Sequence, residues 1–539
     1  MPKRRRSRVN PLPPTPPPRP PAPPSVPPLR RGWRPCVAAL AALGVLSAQA
    51  PAPGGGGTPA AVFCQQGDEL LQREDPVGAW RAFRRAVELA PAEPPAQVGL
   101  GRAHLMLGNS VFAMSYADAA LLAAPDDQDG MALSVRARIR GRAFDDAVAR
   151  ATGFVARTLE PTPELLAARA SALFRVQRID EAAAGYRDVL ALDPLHAEGN
   201  LRLGSGLLPP SEAPIDRDLR LAVAAAQTGD LDRAIVRLRR VLVRSADHPI
   251  AHRLLGEVLL AQRTARSMAA ADPAFRELLV LLPVPDVRGL PVAQFVRGYE
   301  DLSPARRTVV DRTAALFATR LPKLVAVGGT HDLLGELERT TDAPARANLR
   351  GRRTFDGRVW DDVRGVGGIQ AATGIEALDD AAAFGFDTLA HEVAHQVHMH
   401  TFSPLQRARI RALYRQALAD GKCLDYYAAS NEAEYFGQGI EAFVSLGKRP
   451  GGETTHGHTR FELYAVDREL HDFVAELVDH DPLAVPGLRE RLLAAAVRVA
   501  IRCGRPQEAI TAAGMMTEGA ERERLLAAAR AAAAEARCF

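Results

Sequence analysis

Residues 390–398 read Ala390-His391-Glu392-Val393-Ala394-His395-Gln396-Val397-His398, and the fold of the second half of the chain is decided there. The core of the stretch is His-Glu-x-x-His. On a helix, two histidines four residues apart lie one above the other on one face. So placed, neutral imidazoles can grip one zinc ion. Glu392 follows about 100° around the helix, where a carboxylate can reach a water without itself being a ligand, as a general base must. With 13 His in 539 residues, a random chain contains this pattern about 0.02 times. From Phe384 to Met399 there is no Pro and one Gly, so the segment is expected to be helical. The plain alternative is a helix whose histidines bind nothing.

A zinc hydrolase site needs a third protein ligand and an open position. The extended form His-Glu-x-x-His-x-x-Gly-x-x-His is excluded, because His398 stands at the Gly position and Thr401 at the last His. The other solution is a Glu from a second helix. Downstream lies Tyr427-Ala428-Ala429-Ser430-Asn431-Glu432-Ala433-Glu434-Tyr435-Phe436-Gly437-Gln438-Gly439-Ile440-Glu441. Glu434, Gln438 and Glu441 form an i, i+4, i+7 stripe. Glu434 has two competing readings here. It could be the third ligand, or the N3 residue of a capping box begun by Asn431.

Together the two segments resemble the catalytic domain of anthrax lethal factor and its relatives. These are zinc peptidases of the gluzincin type, with a Tyr-x-x-x-Asn-Glu-x-Glu segment followed by aromatics, matched here by Tyr427, Asn431, Glu432, Glu434, Tyr435 and Phe436. The resemblance implies that His391, His395 and Glu434 hold zinc, that Glu392 activates water, and that Tyr427 steadies the oxyanion or helps the leaving amine. A phenol is neutral at pH 7 and can donate a hydrogen bond to a developing oxyanion. Tyr427 can equally be read as a core residue, with Tyr426 in the functional role. Asn431 and Gln438 are the expected supports of the ligands. The chain departs from the family at Gly437 and Gln438, where Ala-Glu is common, and an amide supports a ligand less than a carboxylate does. The resemblance spans residues 290–480, and its specific part is the two motifs.

Within that span, Ser303 to Leu321 reads as an amphipathic helix and Leu324 to Val327 as a strand. Residues 359–369 read as a strand and a Gly-rich turn. An edge strand ahead of the metal helix commonly pairs with extended substrate in such peptidases, which makes Val363, Gly365, Gly367 and Gly368 candidate substrate contacts. His456 and His458, beside Gly451-Gly452, read as members of a solvated loop.

From 64 to 266 the chain repeats. Ala79, Ala113, Ala147, Ala182 and Ala234 each begin a pattern with a large apolar residue or Ala four to seven positions on. Pro91, Pro125, Pro161, Pro194 and Pro249 follow. The spacings are 34, 34, 35 and then 52 residues, the last widened by an insertion around Pro209-Pro210. This resembles tetratricopeptide (TPR) repeats, helix pairs whose concave face can hold a peptide or protein partner. Residues 481–539 are expected to add a last helical pair.

Residues 1–34 carry nine Arg and Lys and no acid. Without them 59 basic groups face 63 acidic ones, so the body has no basic signature of nucleic-acid binding. The apolar run Val37–Leu46 and the Ser47-Ala48-Gln49-Ala50 end resemble a secretory signal, too short for a stable membrane span. Export, periplasmic or secreted, is therefore expected, with a Gly-rich linker over 51–63. The five Cys form no Cys-x-x-Cys pair.

The expected fold class is mainly α: a TPR-like α-solenoid, an α+β zincin-type peptidase domain over 267–480, and a short C-terminal helical segment. The expected function is a zinc-dependent endopeptidase whose repeats recruit a protein or peptide. The alternative is a catalytically inactive scaffold with a peptidase-like binding domain. Intact Glu392 favours the enzyme.

Overall fold

The structure, a computed structural model, describes residues 58–210, 215–269, 273–380, 387–448 and 457–536. The basic segment, the apolar run and most of the Gly-rich linker lie outside the described residues. The helical part begins earlier than the repeat pattern suggests: α1 starts at Pro59, capped by Thr58.

Helices pair in sequence order. α1 (Pro59–Gln72) packs on α2 (Pro76–Leu89), α3 (Pro94–Met106) on α4 (Ser110–Ala123), α5 (Gln128–Arg140) on α6 (Phe144–Arg157), and α7 (Pro163–Arg175) on α8 (Ile179–Leu192). Local chemistry sets their limits. Asp75, Asp127 and Thr162 each accept an amide N–H at a helix start, and Pro76, Pro94 and Pro163 occupy first-turn positions where no N–H is needed. Each turn inside a pair carries one residue in the left-handed region: Glu74, Gly108, Arg142, Gln177 and, farther on, Gly229. They are spaced 34, 34, 35 and 52 residues apart, like the alanines. Ala79, Ala113, Ala147, Ala182 and Ala234 are all completely buried, because small residues let paired helices approach closely. After α8 come a short helix (Ala197–Arg202), then helices Arg217–Gln227, Leu231–Arg244 and Pro249–Ala269.

Among the described residues, one sheet joins β1 (Val296–Arg297), β2 (Thr330–Leu334), β3 (Gly365–Val366) and β4 (Gln370–Gly374) in the order β1-β2-β4-β3. β2 runs parallel to both neighbours, and β3 is the antiparallel edge. Two helices matter most: the motif helix (Thr388–Thr401) and the second helix (Glu432–Val444). Leu389, Val393 and Val397 of the first share a core with Phe436, Ile440 and Phe443 of the second.

Several expectations need correction. Leu324–Val327 is not a strand: Leu321–Ala326 is a short helix, started by Pro322 in its first turn and ended before Gly328, and the strand follows at Thr330. The predicted strand over 359–369 shrinks to Gly365–Val366, because Trp360–Asp362 forms a 3-10 turn. The C-terminal segment is three helices rather than a pair: Arg489–Arg502, Pro506–Gly514 and Ala520–Ala536. Helix Pro273–Leu281 joins them, its Phe275 and Leu278 packing among Leu492, Leu493 and Val497. The tail also returns to the first pair. Ala536 packs on the α1–α3 core, Glu535 takes both Arg81 nitrogens at 2.7 and 2.8 Å, and Arg502 pairs with Asp75 at 2.8 Å. Cys64, Cys423 and Cys503 are buried.

Candidate metal centre

The motif helix is fixed at both ends of its working face. Asp387 caps it, its Oδ1 accepting the Ala390 N–H at 2.9 Å. Gln396, fully buried, donates to the Thr330 and Ile369 carbonyls at 2.9 and 3.1 Å. That leaves its Oε1 as the acceptor facing His331 Nδ1 at 3.1 Å, while His331 Nε2 lies 2.9 Å from the Thr373 hydroxyl. With Nδ1 protonated, both contacts are satisfied by a neutral ring, and burial lowers the His331 pKa to about 4. The helix is thus bolted to β2 and β4 one residue beyond His395.

The three predicted ligands come together. His391 Nε2 is 3.0 Å from His395 Nε2 and 3.1 Å from Glu434 Oε2, and His395 Nε2 is 3.5 Å from the same oxygen. Among the described residues these three form the group able to share a metal, with all ligand atoms within 4.8 Å of one another. Tetrahedral donors about 2.1 Å from one zinc ion stand about 3.4 Å apart. The donor set, two imidazoles and a carboxylate, and its spacing both fit zinc. Burial raises the Glu434 carboxyl, but bonds to His391 and His395 override it and hold it well below its usual range. Burial likewise pulls His391 down, and Glu434 and Glu441 override it to hold the ring well above its ordinary value.

Asn431 takes the capping role that its position three residues before Glu434 offered. It is the N-cap of the second helix, its Oδ1 accepting the Glu434 N–H at 3.0 Å. Gln438 is buried, and among the described residues its Oε1 meets no hydrogen-bond partner. The carboxylate behind His391 is instead Glu441, fully buried one turn on, with Oε2 3.3 Å from His391 Nδ1, though off the hydrogen-bond direction. Burial pushes Glu441 up to about 7. The i+7 position of the stripe was the signal for it.

Glycines let the pieces close. A Cβ on Gly437 would sit 2.9–3.1 Å from the His391 ring, so glycine at this position makes room for that imidazole. A Cβ on Gly365 would stand 2.6 Å from Glu392 Oε1, and one on Gly367 3.3 Å from His395 Cβ. Edge strand β3 and its turn therefore lie directly over the site. Gly368 supplies the turn at φ +110°, reachable by Gly. Val363 does not face that edge: it is buried, and its carbonyl accepts from the Thr340 hydroxyl.

Glu392 is buried beside the ligands; desolvation raises its pKa against the pull of His395 and His391. Tyr426 is engaged elsewhere. It accepts a hydrogen bond from Arg175 and packs edge-on to Phe144, centroids 5.6 Å apart. Tyr427 is within electrostatic reach of Glu434, Arg358 and Glu392, and burial first, then Glu434, drives its pKa far above the usual phenol value. Its segment is shaped by Asp425, whose Oδ1 accepts the Tyr427 and Ala428 N–H groups at 2.8 and 2.7 Å. Sequence reading passed over Asp425. It also misread His458, which is not solvated but enclosed between Asp425 and Glu462, 3.4 Å from each. His456 lies outside the described residues.

The first helices of successive pairs line a cavity of about 1100 Å³. Asp68, Arg102 and Arg136, at 34-residue intervals, stand in it with Arg140 and Glu164. Among the described residues no helix is long and apolar enough to cross a membrane.

No protein-family model matches the chain, and no curated protein matches it. Solved structures similar to it include TPR proteins. A thermophilic TPR protein of Thermus thermophilus is 19% identical over 37% of this chain and 99% of its own, at a TM-score of 0.26. A TPR protein described as having an unusual peptide-binding site is 17% identical over 38% and 92%, at 0.22. Yeast Tom70 is 11% identical over 89% and 96%, at 0.23. The repeat character of residues 59–192 rests on the chain's own 34-residue geometry, to which likenesses at these TM-scores add nothing.

Proposed function

We propose that this chain is a zinc-dependent endopeptidase whose helical repeats recruit the protein it cleaves or a partner that delivers it. The observation that carries the reading is the convergence of His391 Nε2, His395 Nε2 and Glu434 Oε2, with Glu392 buried alongside. Zinc bound by these three residues supplies Lewis acidity, making a water more acidic and a carbonyl more electrophilic. Glu392 takes the proton of the attacking water on its carboxylate and passes it to the leaving amine. Its burial raises its proton affinity, which suits both transfers. Tyr427, held neutral, donates its phenol O–H to the carbonyl oxygen as negative charge develops there. β3, at the sheet edge over Glu392, offers unpaired backbone to an extended peptide. The cavity on the first helices is the recruiting surface we favour, and the apolar run before residue 50 favours an exported protein.

The test is zinc content of the purified protein, for the wild type and Glu434→Ala, with cleavage of a mixed peptide library by the wild type and Glu392→Ala. One zinc per chain, lost in Glu434→Ala, with turnover abolished in Glu392→Ala, is the expected result. Zinc without turnover in the wild type would leave a binding scaffold. No zinc in the wild type at neutral pH would overturn the reading.

A further inference from the structure

Tyr427 is bracketed by two segments, and each is fastened to the helix pairs. On one side is its neighbour Tyr426, whose hydroxyl accepts from Arg175 at the end of α7 and whose ring packs on Phe144 at the start of α6. The Arg175 guanidinium also lies 5.5 Å from the Tyr426 ring centroid. Two residues before Tyr426, the Leu424 carbonyl accepts from Arg142 in the α5–α6 turn at 3.2 Å. On the other side, Phe355 packs on Tyr427 with centroids 5.9 Å apart. That segment is tied down by Arg353 to Asp180 of α8 at 3.2 Å, by Gly357 against Ile179, and by the Val359 N–H to the Gly206 carbonyl at 2.8 Å. The same half of the chain holds the rest of this loop, through Asp425, His458 3.4 Å from it and the Tyr414 hydroxyl donating to the Ala429 carbonyl at 2.9 Å, while the contacts to Tyr426, Leu424 and the Phe355 segment come from α5 to α8 and the turn after them.

We propose that the third and fourth helix pairs are a built part of the catalytic centre, with Arg175 a positioning residue that acts on Tyr427 through Tyr426. The inference rests on the peptidase reading for its catalytic consequence, while its structural content stands apart from it. A phenol that must meet a carbonyl oxygen in the transition state loses rate when it is misplaced by about 1 Å. The helix pairs therefore do more than collect substrate: they hold a reacting group in place.

The test uses the full chain. Arg175→Ala removes the donor, Arg175→Lys keeps a donor, and Tyr426→Phe removes only the acceptor hydroxyl while keeping the ring against Phe144. Each is measured for zinc content, kcat and KM, alone and combined with Tyr427→Phe. Arg175→Ala and Tyr426→Phe are expected to lower kcat about tenfold or more with zinc content and KM within about twofold. Arg175→Lys should recover part of the loss. In the Tyr427→Phe background neither change should lower kcat further, because the pathway through Tyr427 is already gone. Multiplying effects would overturn the proposal. Hydrogen exchange supplies the readout that does not depend on turnover: Arg175→Ala should raise exchange over 423–431 and leave 388–401 unchanged. Unchanged exchange over 423–431 would sink the positioning claim. A wild type with neither zinc nor turnover would instead sink the peptidase reading, with exchange still deciding this one. Should Arg175→Ala fail to fold, Tyr426→Phe carries both measurements.

Discussion

Asn431 accepts the backbone N–H of Glu434 at 3.0 Å, while the Glu434 carboxylate turns away from the cap and reaches His391 at 3.1 Å. A full capping box would need that carboxylate to fold back onto the N-cap N–H. Here only its first half forms, so one helix end both starts cleanly and presents a carboxylate to His391.

This division separates two substitutions. Asn431→Ala should cost about 1 kcal/mol of stability, as lost N-caps do, with zinc still bound. Glu434→Ala should abolish stoichiometric zinc. Denaturant titration and metal analysis of both variants check this. Zinc loss in Asn431→Ala equal to that in Glu434→Ala would contradict it.

Glu441 stands where Gln438 was expected to act. Glu441→Gln should weaken zinc affinity about tenfold or more, since carboxylates behind a ligating His raise its basicity and fix its orientation. Gln438→Ala should weaken it less. Chelator competition ranks the two, and the reverse order would return the role to Gln438.

Gly437→Ala and Gly365→Ala press on different groups. The first pushes a methyl at the His391 ring and should lower zinc affinity; the second meets Glu392 Oε1 and should lower kcat with zinc retained. Metal analysis and steady-state kinetics separate them. Equal effects on both readouts would show that His391 and Glu392, neighbours on one helix, shift together.

His104 and His331 set an acid limit on stability. Both are fully buried, and burial lowers each to about 4, whereas an unfolded histidine titrates near 6.5. Between those values the unfolded chain binds more protons, so stability rises with pH there. It is fully present above about pH 6.5 and is lost as pH falls toward 4, by up to roughly 3 kcal/mol per residue. Denaturant midpoints at pH 7, 5.5 and 4.5 should show the fall, and His104→Phe, which keeps a ring between Phe112 and Tyr116, should flatten it.

Gln177 adopts φ +62° in the turn between α7 and α8, where the equivalent turn of the second pair has Gly108. A left-handed side chain costs about 1–2 kcal/mol, partly offset by the freer unfolded glycine. Gln177→Gly should therefore stabilise the protein by about 0.5–1 kcal/mol. A lower midpoint would mean that the Gln177 side chain makes contacts worth more than the strain.

The sequence determined whatever is local or periodic. Helical spacing puts His391 and His395 on one face, and the 34-residue recurrence of Ala79, Ala113 and Ala147, with small residues at pair crossings, sets the helix pairs. Both follow from a fixed turn of about 3.6 residues and from steric limits within a few residues. Tertiary structure alone decided which carboxylate stands behind His391, what packs against each of two adjacent tyrosines, and that His458 is enclosed. Those outcomes depend on residues far apart in sequence: Glu441 rather than Gln438 stands by His391, where Gly437 lets the second helix approach, and Tyr426 is bound by Arg175, 251 positions away, while Tyr427 packs on Phe355. Contacts across such distances leave no spacing in the chain, since each is set by how whole helices pack rather than by the repeat of any one of them.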